Sequence, residues 1–389
     1  MRAPIQKLIV LLVTALLLTA VCAVCAPVNA PAPEAARPES PAPTDAAVVL
    51  VEGKPVQATP APTETPAPTD SPAPQPSLTT GRTLPGTRAF RPILVMLSNA
   101  PRVRPQTGLM GADIVYETLT ERDGTDTRLV ALYSDEYPYA VGPVTAARVY
   151  DSALMREWGC PLVYDGYSAE AAYPDFDDDD VLLSGEHTHD NDDMFFLSNL
   201  VSAEEGDMLF CRLAAFVGGV YGDHEAGRTP HFLFQAGISY SFGKPAVTVG
   251  VPMGGSDYGK IEFRYQAEDN LYYRYERNSK GLLTASKTRM PNGDGTAYST
   301  VPLAVQNVIV QYVRYTNIEG TNSRTAVLTG SGNCAYFING QRVMGTWSRE
   351  TLSQPTSYLL NDGAPVTLEP GTTWIVLHPT GREVKVRAK

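Results

Sequence analysis

The sequence predicts an α+β protein: an N-terminal α/β module over residues 85–238, followed by a mostly antiparallel β module over 239–389. Three observations predict it. Short apolar runs alternate with helix-length amphipathic segments in the first half. After about Ser239, runs rich in β-branched and aromatic residues follow one another with no helical period. "NG", "DG" and "PG" steps punctuate that second stretch as hairpin turns.

In chain order, residues 1–25 come first. Arg2 and Lys7 flank the run "LIVLLVTALLLTAVCAV", the basic flank and apolar core of a secretory signal peptide or membrane anchor. Three outcomes stay open: lipidation at Cys22 or Cys25, cleavage after Ala23, and retention of the run as an anchor. Each places the rest of the chain outside the cytoplasm. Residues 26–84 are Pro, Ala and Thr with scattered acids, too poor in apolar surface to offset chain entropy, and are expected to be a disordered linker.

In the α/β module, "PILVMLS", "DIVYETL", "RLVALYS" and "PLVYDG" are expected strands. "RVYDSALMREWG" and "EEGDMLFCRLAAFVGGVYG" are expected helices, the second with Met208, Cys211, Leu213, Ala215 and Phe216 on its core-facing stripe. In the β module the expected strands include "AVTVGVP", "KIEFRYQ", "LYYRYER", "NVIVQYVRY", "NCAYFING" and "TTWIVLHP". Net charge is −11 with no basic block, so nucleic acid is not an expected partner. Outside the signal stand Cys160, Cys211 and Cys334, too few and too scattered for a disulfide framework.

"RPILVMLSNAPRVRPQTGLMGADIVYETL", "TDTRLVALYS" and "AVGPVTAARVYDSAL", followed by "AVQNVIVQYV", "GSGNCAYFINGQRVMGTWSR" and "LEPGTTWIVLHP", resemble the N- and C-terminal domains of the bacterial DUF3048 family of YerB-like lipoproteins. The resemblance covers Phe90 to Pro379 and implies an exported envelope protein, commonly tethered to the membrane. It does not imply an activity. One block departs from the family pattern: "GPVRSAR" reads "GPVTAAR" here, with Thr145 and Ala146 in place of an arginine and a serine. That change favours binding over catalysis and leaves Arg148 as the loop's cation. A Pro-His step similar to the family's makes His231 a candidate as well.

Strand alternation places Val115, Glu117 and Leu119 of "DIVYETL" on one face. An ionised carboxylate among apolar neighbours needs a partner, and Arg128 and Arg148 are the candidates. The group is either an anion- or polymer-binding pocket built from Glu117, Arg128, Arg148 and His231, or an internal ion pair that fixes strand order. Glu121, two residues beyond Leu119, would lie about 13 Å from Glu117 on one regular strand, too far for a glycosidase acid pair.

In "YPDFDDDDVLLSGEHTHDNDDMFF", His187, His189 and Asp190 are the only metal candidates. The stretch lacks an EF-hand turn and a His-Glu-x-x-His helix, so a solvated acidic loop without metal is expected, and no cofactor. Cys334 in "GSGNCAYF" has no neighbouring histidine and is expected to be a buried or hairpin cysteine. "LYYRYER" sets Tyr272 and Arg274 on one face and Tyr273 and Tyr275 on the other, and the twenty tyrosines give an aromatic surface suited to sugars or protein partners.

Together these features predict an extracytoplasmic binding or scaffolding module for a cell-wall polymer or envelope protein, attached to the membrane through its N-terminus. The alternative is a hydrolase of a wall glycan or peptide. No Gly-x-Ser-x-Gly elbow, phosphate-binding loop or Ser-x-x-Lys supports the latter.

Overall fold

Runs that are apolar at every position, such as "ILVML" and "WIVL", must be covered on both faces. The computed structural model shows how. It describes residues 74–389 apart from 87, 121–126, 167–181, 185–192, 199–207, 222–224, 228, 254–259, 279 and 389. The segment 1–73, with Cys22, Cys25 and most of the expected linker, lies outside the described residues, as does the acidic stretch with His187, His189 and Asp190.

One large sheet runs Lys244–Pro245, Gln341–Arg349, Gly330–Ile338, Asn307–Val313, Thr373–Pro379, Ile114–Leu119, Thr127–Tyr133, Ile93–Ser98, Leu162–Tyr164 and Leu182–Ser184, with Ser357–Leu360 added beside Gln341–Arg349. Strands of both expected modules thus share one sheet. The junction is the parallel pair of Thr373–Pro379 with Ile114–Leu119, in which Trp374 lies opposite Val115 and Val376 opposite Glu117.

A second sheet of Leu283–Ala285, Leu271–Arg277, Lys260–Gln266, Thr248–Pro252 and Lys385–Arg387, with Ala304–Val305 beside Leu271–Arg277, covers one face. Val249, Val251, Phe263 and Tyr272 from it pack with Val115, Leu129, Val310, Trp374 and Val376 of the large sheet. On the opposite face, Ile114, Tyr116, Ile309 and Ile375 pack with Leu154, Met155 and Trp158 of helix Asp151–Trp158. That helix ends at Gly159, whose left-handed φ of 55° closes a C-cap onto the Met155 carbonyl. A short parallel pairing of Lys287–Pro291 with Gln106–Thr107 ties the two halves of the chain a second time.

The predicted α/β module is therefore corrected. Strand dominates the fold, and the described residues hold two α-helices, Asp151–Trp158 and Leu213–Tyr221. Ile114–Leu119 pairs antiparallel with Thr127–Tyr133, and that strand antiparallel with Ile93–Ser98, so no helical crossover separates them. Helix periodicity over Glu204–Gly222 was also deceptive. Met208–Cys211 is a strand paired with Phe195–Ser198, and the helix begins only at Leu213.

The expected linker also ends earlier than Leu84. Gln75–Pro76 pairs with Thr83–Leu84 as a hairpin, and Ser77, Thr79 and Thr80 at its turn are buried. Gly81 closes that turn with φ of 65°, and a Cβ there would sit 2.3 Å from the Phe234 ring. The hydroxyls explain why a polar turn is pulled inside. Thr79 Oγ1 donates to Asp113 Oδ2 at 2.8 Å, Ser77 Oγ to Asp135 Oδ1 at 2.7 Å, and Thr80 Oγ1 to Asp135 Oδ2 at 2.5 Å. Both carboxylates are themselves buried.

Two predictions follow from this latch. A chain beginning at Pro85 should be less stable than one beginning at Pro74 by about 2 kcal/mol or more, since it loses three hydrogen bonds to buried acidic side chains; equal thermal midpoints would show the hairpin to be ornamental. The second concerns pH. Burial, and then the Asp135 carboxylate, push Asp113 from 3.8 up to about 7, against the pull of hydrogen bonds from Ser134, Thr79 and the Asp135 backbone. The folded state thus keeps a proton that the unfolded chain releases, so this contribution is whole below about pH 4 and lost as pH rises through about 7. Asp113→Asn should show a smaller fall in urea midpoint than the parent between about pH 5 and about pH 8. Parallel falls would mean Asp113 is already ionised in the folded state at the lower pH.

Candidate functional site

Glu117 points from the large sheet toward the second sheet, on the face it shares with Val115 and Leu119. It is fully buried, and its partner is Arg274 of "LYYRYER", a residue remote in the sequence. Arg274 Nη2 donates to Glu117 Oε1 at 2.8 Å and Nε to Oε2 at 3.3 Å. Trp374 Nε1 donates to Oε2 at 3.0 Å, and Thr127 Oγ1 to Oε1 at 2.9 Å. The guanidinium carbon of Arg274 also lies 5.0 Å from the centre of the Trp374 ring system, a cation–π contact away from water.

The network continues and closes on itself. Arg274 Nη1 donates to Glu276 Oε2 at 2.6 Å and to Ser286 Oγ at 2.8 Å. Arg104 reaches the same Glu276 oxygen at 3.2 Å and donates through Nε to Asn99 Oδ1, also at 3.2 Å. Asn99 Nδ2 in turn donates to Glu117 Oε1 at 3.3 Å. Two carboxylates and two guanidiniums alternate, so the ring is neutral as a whole. Burial works against charge on Arg274, but Glu117 and Glu276 outweigh it and hold the guanidinium protonated. Burial likewise pushes Glu276 up, and Arg274 with Arg104 outweigh that and hold its carboxyl below the ordinary value.

The other candidates lie elsewhere. Register sets Leu129 opposite Glu117 and Arg128 opposite Thr118, so Arg128 points to the far face of the sheet. There it donates to the Ala146 carbonyl. Arg148, buried on that side, donates through Nη1 to Ser323 Oγ at 2.8 Å, and its backbone N–H reaches Asp151 Oδ2 at 2.6 Å. Asp151 is pushed up to about 7 by burial, which outweighs that hydrogen bond and the charges of Arg128 and Arg148. Arg128, Arg148 and Asp151 thus form one group and Glu117 another.

His231 belongs to neither. It stacks on Trp158 with ring centroids 3.7 Å apart, and burial lowers its pKa. Beside it runs a second internal ion pair, missed in the sequence. Arg349 Nη1 meets Glu157 Oε2 at 3.1 Å while Thr356 N–H donates to Glu157 Oε1 at 2.9 Å. The alternation of "QRVMGTWSR" puts Arg349 in phase with the inward Val343 and Trp347, which was the available signal. Cys160, Cys211 and Cys334 are free and buried, and burial pushes each thiol up, away from the thiolate a nucleophile needs.

What reaches solvent is the rim of the ring. Arg104 and Glu276 open on a cleft of about 300 Å³ whose other walls are Pro101, Pro105, Asn278, Thr284, Ala285 and Lys287. Its polar groups are two cations, one paired carboxylate, an amide and a hydroxyl. They can hold an anion or a hydroxylated ligand.

Two family models match the chain: "Protein of unknown function (DUF3048) N-terminal domain" over residues 79–205 and the DUF3048 C-terminal domain over 249–375. The chain is 27% identical over 301 residues to "Putative lipoprotein YerB" of Bacillus subtilis (strain 168), covering 74% of this chain and 81% of the relative. The crystal structure of YerB from Bacillus subtilis matches with a TM-score of 0.60 at 23% identity, over 80% of this chain and 99% of that one, a likeness of fold.

Removing the charge at Glu117 while keeping its shape should separate a structural group from a binding one. Glu117→Gln leaves Arg274 buried with half its counter-charge and should lower stability by about 3 kcal/mol or more. Glu117→Gln with Arg274→Met should recover part of that loss, because the stranded cation is gone. A loss below about 1 kcal/mol in the single variant, the size expected of an exposed pair, would show that water reaches the site.

Proposed function

The chain belongs to the DUF3048 family, and on that premise we propose that it is an extracytoplasmic, membrane-tethered envelope protein that binds or scaffolds a cell-wall component or another envelope protein. The single observation that carries this reading is the division of its charges. Glu117, the carboxylate whose setting most invites chemistry, is closed in under Arg274 and Trp374, while the groups that open on solvent at the rim are suited to holding a ligand. A general acid needs a carboxyl held high and facing its substrate. Glu276, the carboxylate on the open cleft, is instead held low and paired on both sides.

The N-terminal apolar run and the lipoprotein designation of the relative support attachment to the membrane from outside. With Cys22 or Cys25 as anchor and a Pro-rich stretch before Gln75, the folded part would stand off from the membrane surface and meet partners there.

The full chain in detergent should be retained on purified wall sacculi, or pull an envelope protein from solubilised membranes, without releasing reducing sugars or peptides from the sacculi. Release that disappears on Glu276→Gln would establish a hydrolase instead. The absence of both retention and capture would remove the binding reading.

A further inference from the structure

The strand Leu271–Arg277 has two sides. Its inward residues Tyr272, Arg274 and Glu276 are consumed by the core and the charge ring. Its outward residues Tyr273, Tyr275 and Arg277 belong to a different surface, the outer face of the second sheet. Across that face the register sets Arg387 opposite Thr248 and Thr248 opposite Arg264, then Lys385 opposite Gly250 and Gly250 opposite Glu262. Arg264 pairs with Glu262 at 2.6 Å and lies 4.1 Å from the Tyr275 ring centre.

These residues frame an open trough of about 210 Å³ lined by Thr248, Gly250, Glu262, Arg277, Lys385 and Arg387 among others. Gly250 supplies its floor as bare backbone. Lys385 and Arg387 are exposed, and neither is in an ion pair with a described residue. The sole carboxylate of the lining, Glu262, is already answered by Arg264.

We propose that this trough is a binding site for an anionic glycan, a sugar polymer that carries phosphate or carboxylate groups along its length. The proposal deepens the binding reading above and rests on it. Three features select this ligand class. Lys385 and Arg387 stand about 7 Å apart along one strand, and Arg277, three strands away and so about 14 Å across the sheet, borders the far side of the same trough, so cations recur at polymer-like intervals. The trough is smaller and more open than the roughly 300–1,000 Å³ cavities that enclose small molecules, so it suits a segment of an extended chain. Pro252 and Leu283, part of the same lining, offer the apolar surface on which the C–H face of a sugar rests. Charges on an edge strand such as Lys385–Arg387 also discourage sheet-to-sheet pairing. That role does not account for Arg277, which lies on an inner strand. In a chain of net charge −11, a face of this sign attracts an anion against the overall field.

The test uses the full chain in detergent and fluorescently labelled polymers: polygalacturonate, poly(glycerol phosphate), neutral dextran, polyphosphate and polyglutamate. Polygalacturonate or poly(glycerol phosphate) should bind at about 50 mM salt and be released by about 500 mM, as expected for screened contacts, and dextran should not bind. The two anionic polymers distinguish a carboxylate from a phosphate source. Lys385→Ala with Arg387→Ala should weaken binding at least tenfold with an unchanged melting temperature, and Arg277→Gln is the independent check from an inner strand. Unchanged affinity in both variants overturns the site. Equal binding of polyphosphate or polyglutamate overturns the assignment to a glycan. Wall sacculi separate this failure from that of the broader reading: if the parent and the Lys385/Arg387 variant are retained alike, the trough is wrong and wall binding stands. A parent that is not retained defeats the trough and wall binding together, and leaves only capture of an envelope protein.

Discussion

The contact on which the architecture turns is the one between Glu117 and Arg274. The two lie 157 positions apart in the chain, on strands of different sheets, and meet where both are cut off from water. An isolated ion at such a depth is too costly to keep, so each demands the other, and together they set how the second sheet lies on the first. Trp374 adds the third point. It comes from Thr373–Pro379, which pairs directly with the Glu117 strand, so one carboxylate is held by both sheets at once. Buried ion pairs are poor sources of net stability compared with apolar packing. Their effect here is selective: an arrangement that fails to bring Arg274 onto Glu117 leaves two uncompensated charges inside.

Such a device explains why the halves of the chain do not behave as two modules. Their strands share one sheet, and the charge ring draws from both: Asn99, Arg104 and Glu117 from the first half, Arg274 and Glu276 from the second. The N-terminal hairpin repeats the logic on a smaller scale. Ser77 and Thr80 bring hydroxyls to the buried Asp135 carboxylate, and Thr79 adds one to Asp113, which Ser134 and the Asp135 backbone also serve.

How much of this could be read from the sequence depended on the range of the physics involved. Local signals sufficed for the strands Ile93–Ser98, Ile114–Leu119 and Thr127–Tyr133 and for helix Asp151–Trp158, because apolar runs and helical spacing are properties of a few adjacent residues. Alternation also placed Glu117 correctly among Val115 and Leu119. Its partner was beyond such reasoning. Arg128 is near in sequence but, by a register only the folded sheet reveals, points to the opposite face; Arg274 is remote and carried no local mark that tied it to Glu117. The α/β expectation failed for a related cause. Apolar strands buried on both faces look alike whether helices or a second sheet cover them, and here a second sheet covers one side. The latch was hidden by composition, since Ser, Thr and Pro read as linker unless the acids that bind the hydroxyls are known.

The strand Leu271–Arg277 shows how one short segment serves both structure and surface. Side chains alternate along it, so "LYYRYER" divides into an inward set of Tyr272, Arg274 and Glu276 and an outward set of Tyr273, Tyr275 and Arg277. The compositions of the two sets are nearly the same. Their fates differ because the inward arginine finds Glu117, while the outward one, half-buried, donates to the Gly281 carbonyl and borders the trough. A slip of one residue would exchange them, putting Arg277 and two tyrosines inside and Glu276 outside. Hydrophobic pattern alone would barely resist that slip, since each set offers tyrosine and arginine. The buried carboxylate resists it, because only the observed register sets a guanidinium against Glu117. The interior pair therefore also determines which cations the outer face presents, and the proposed binding surface inherits its geometry from a charge that no ligand can reach.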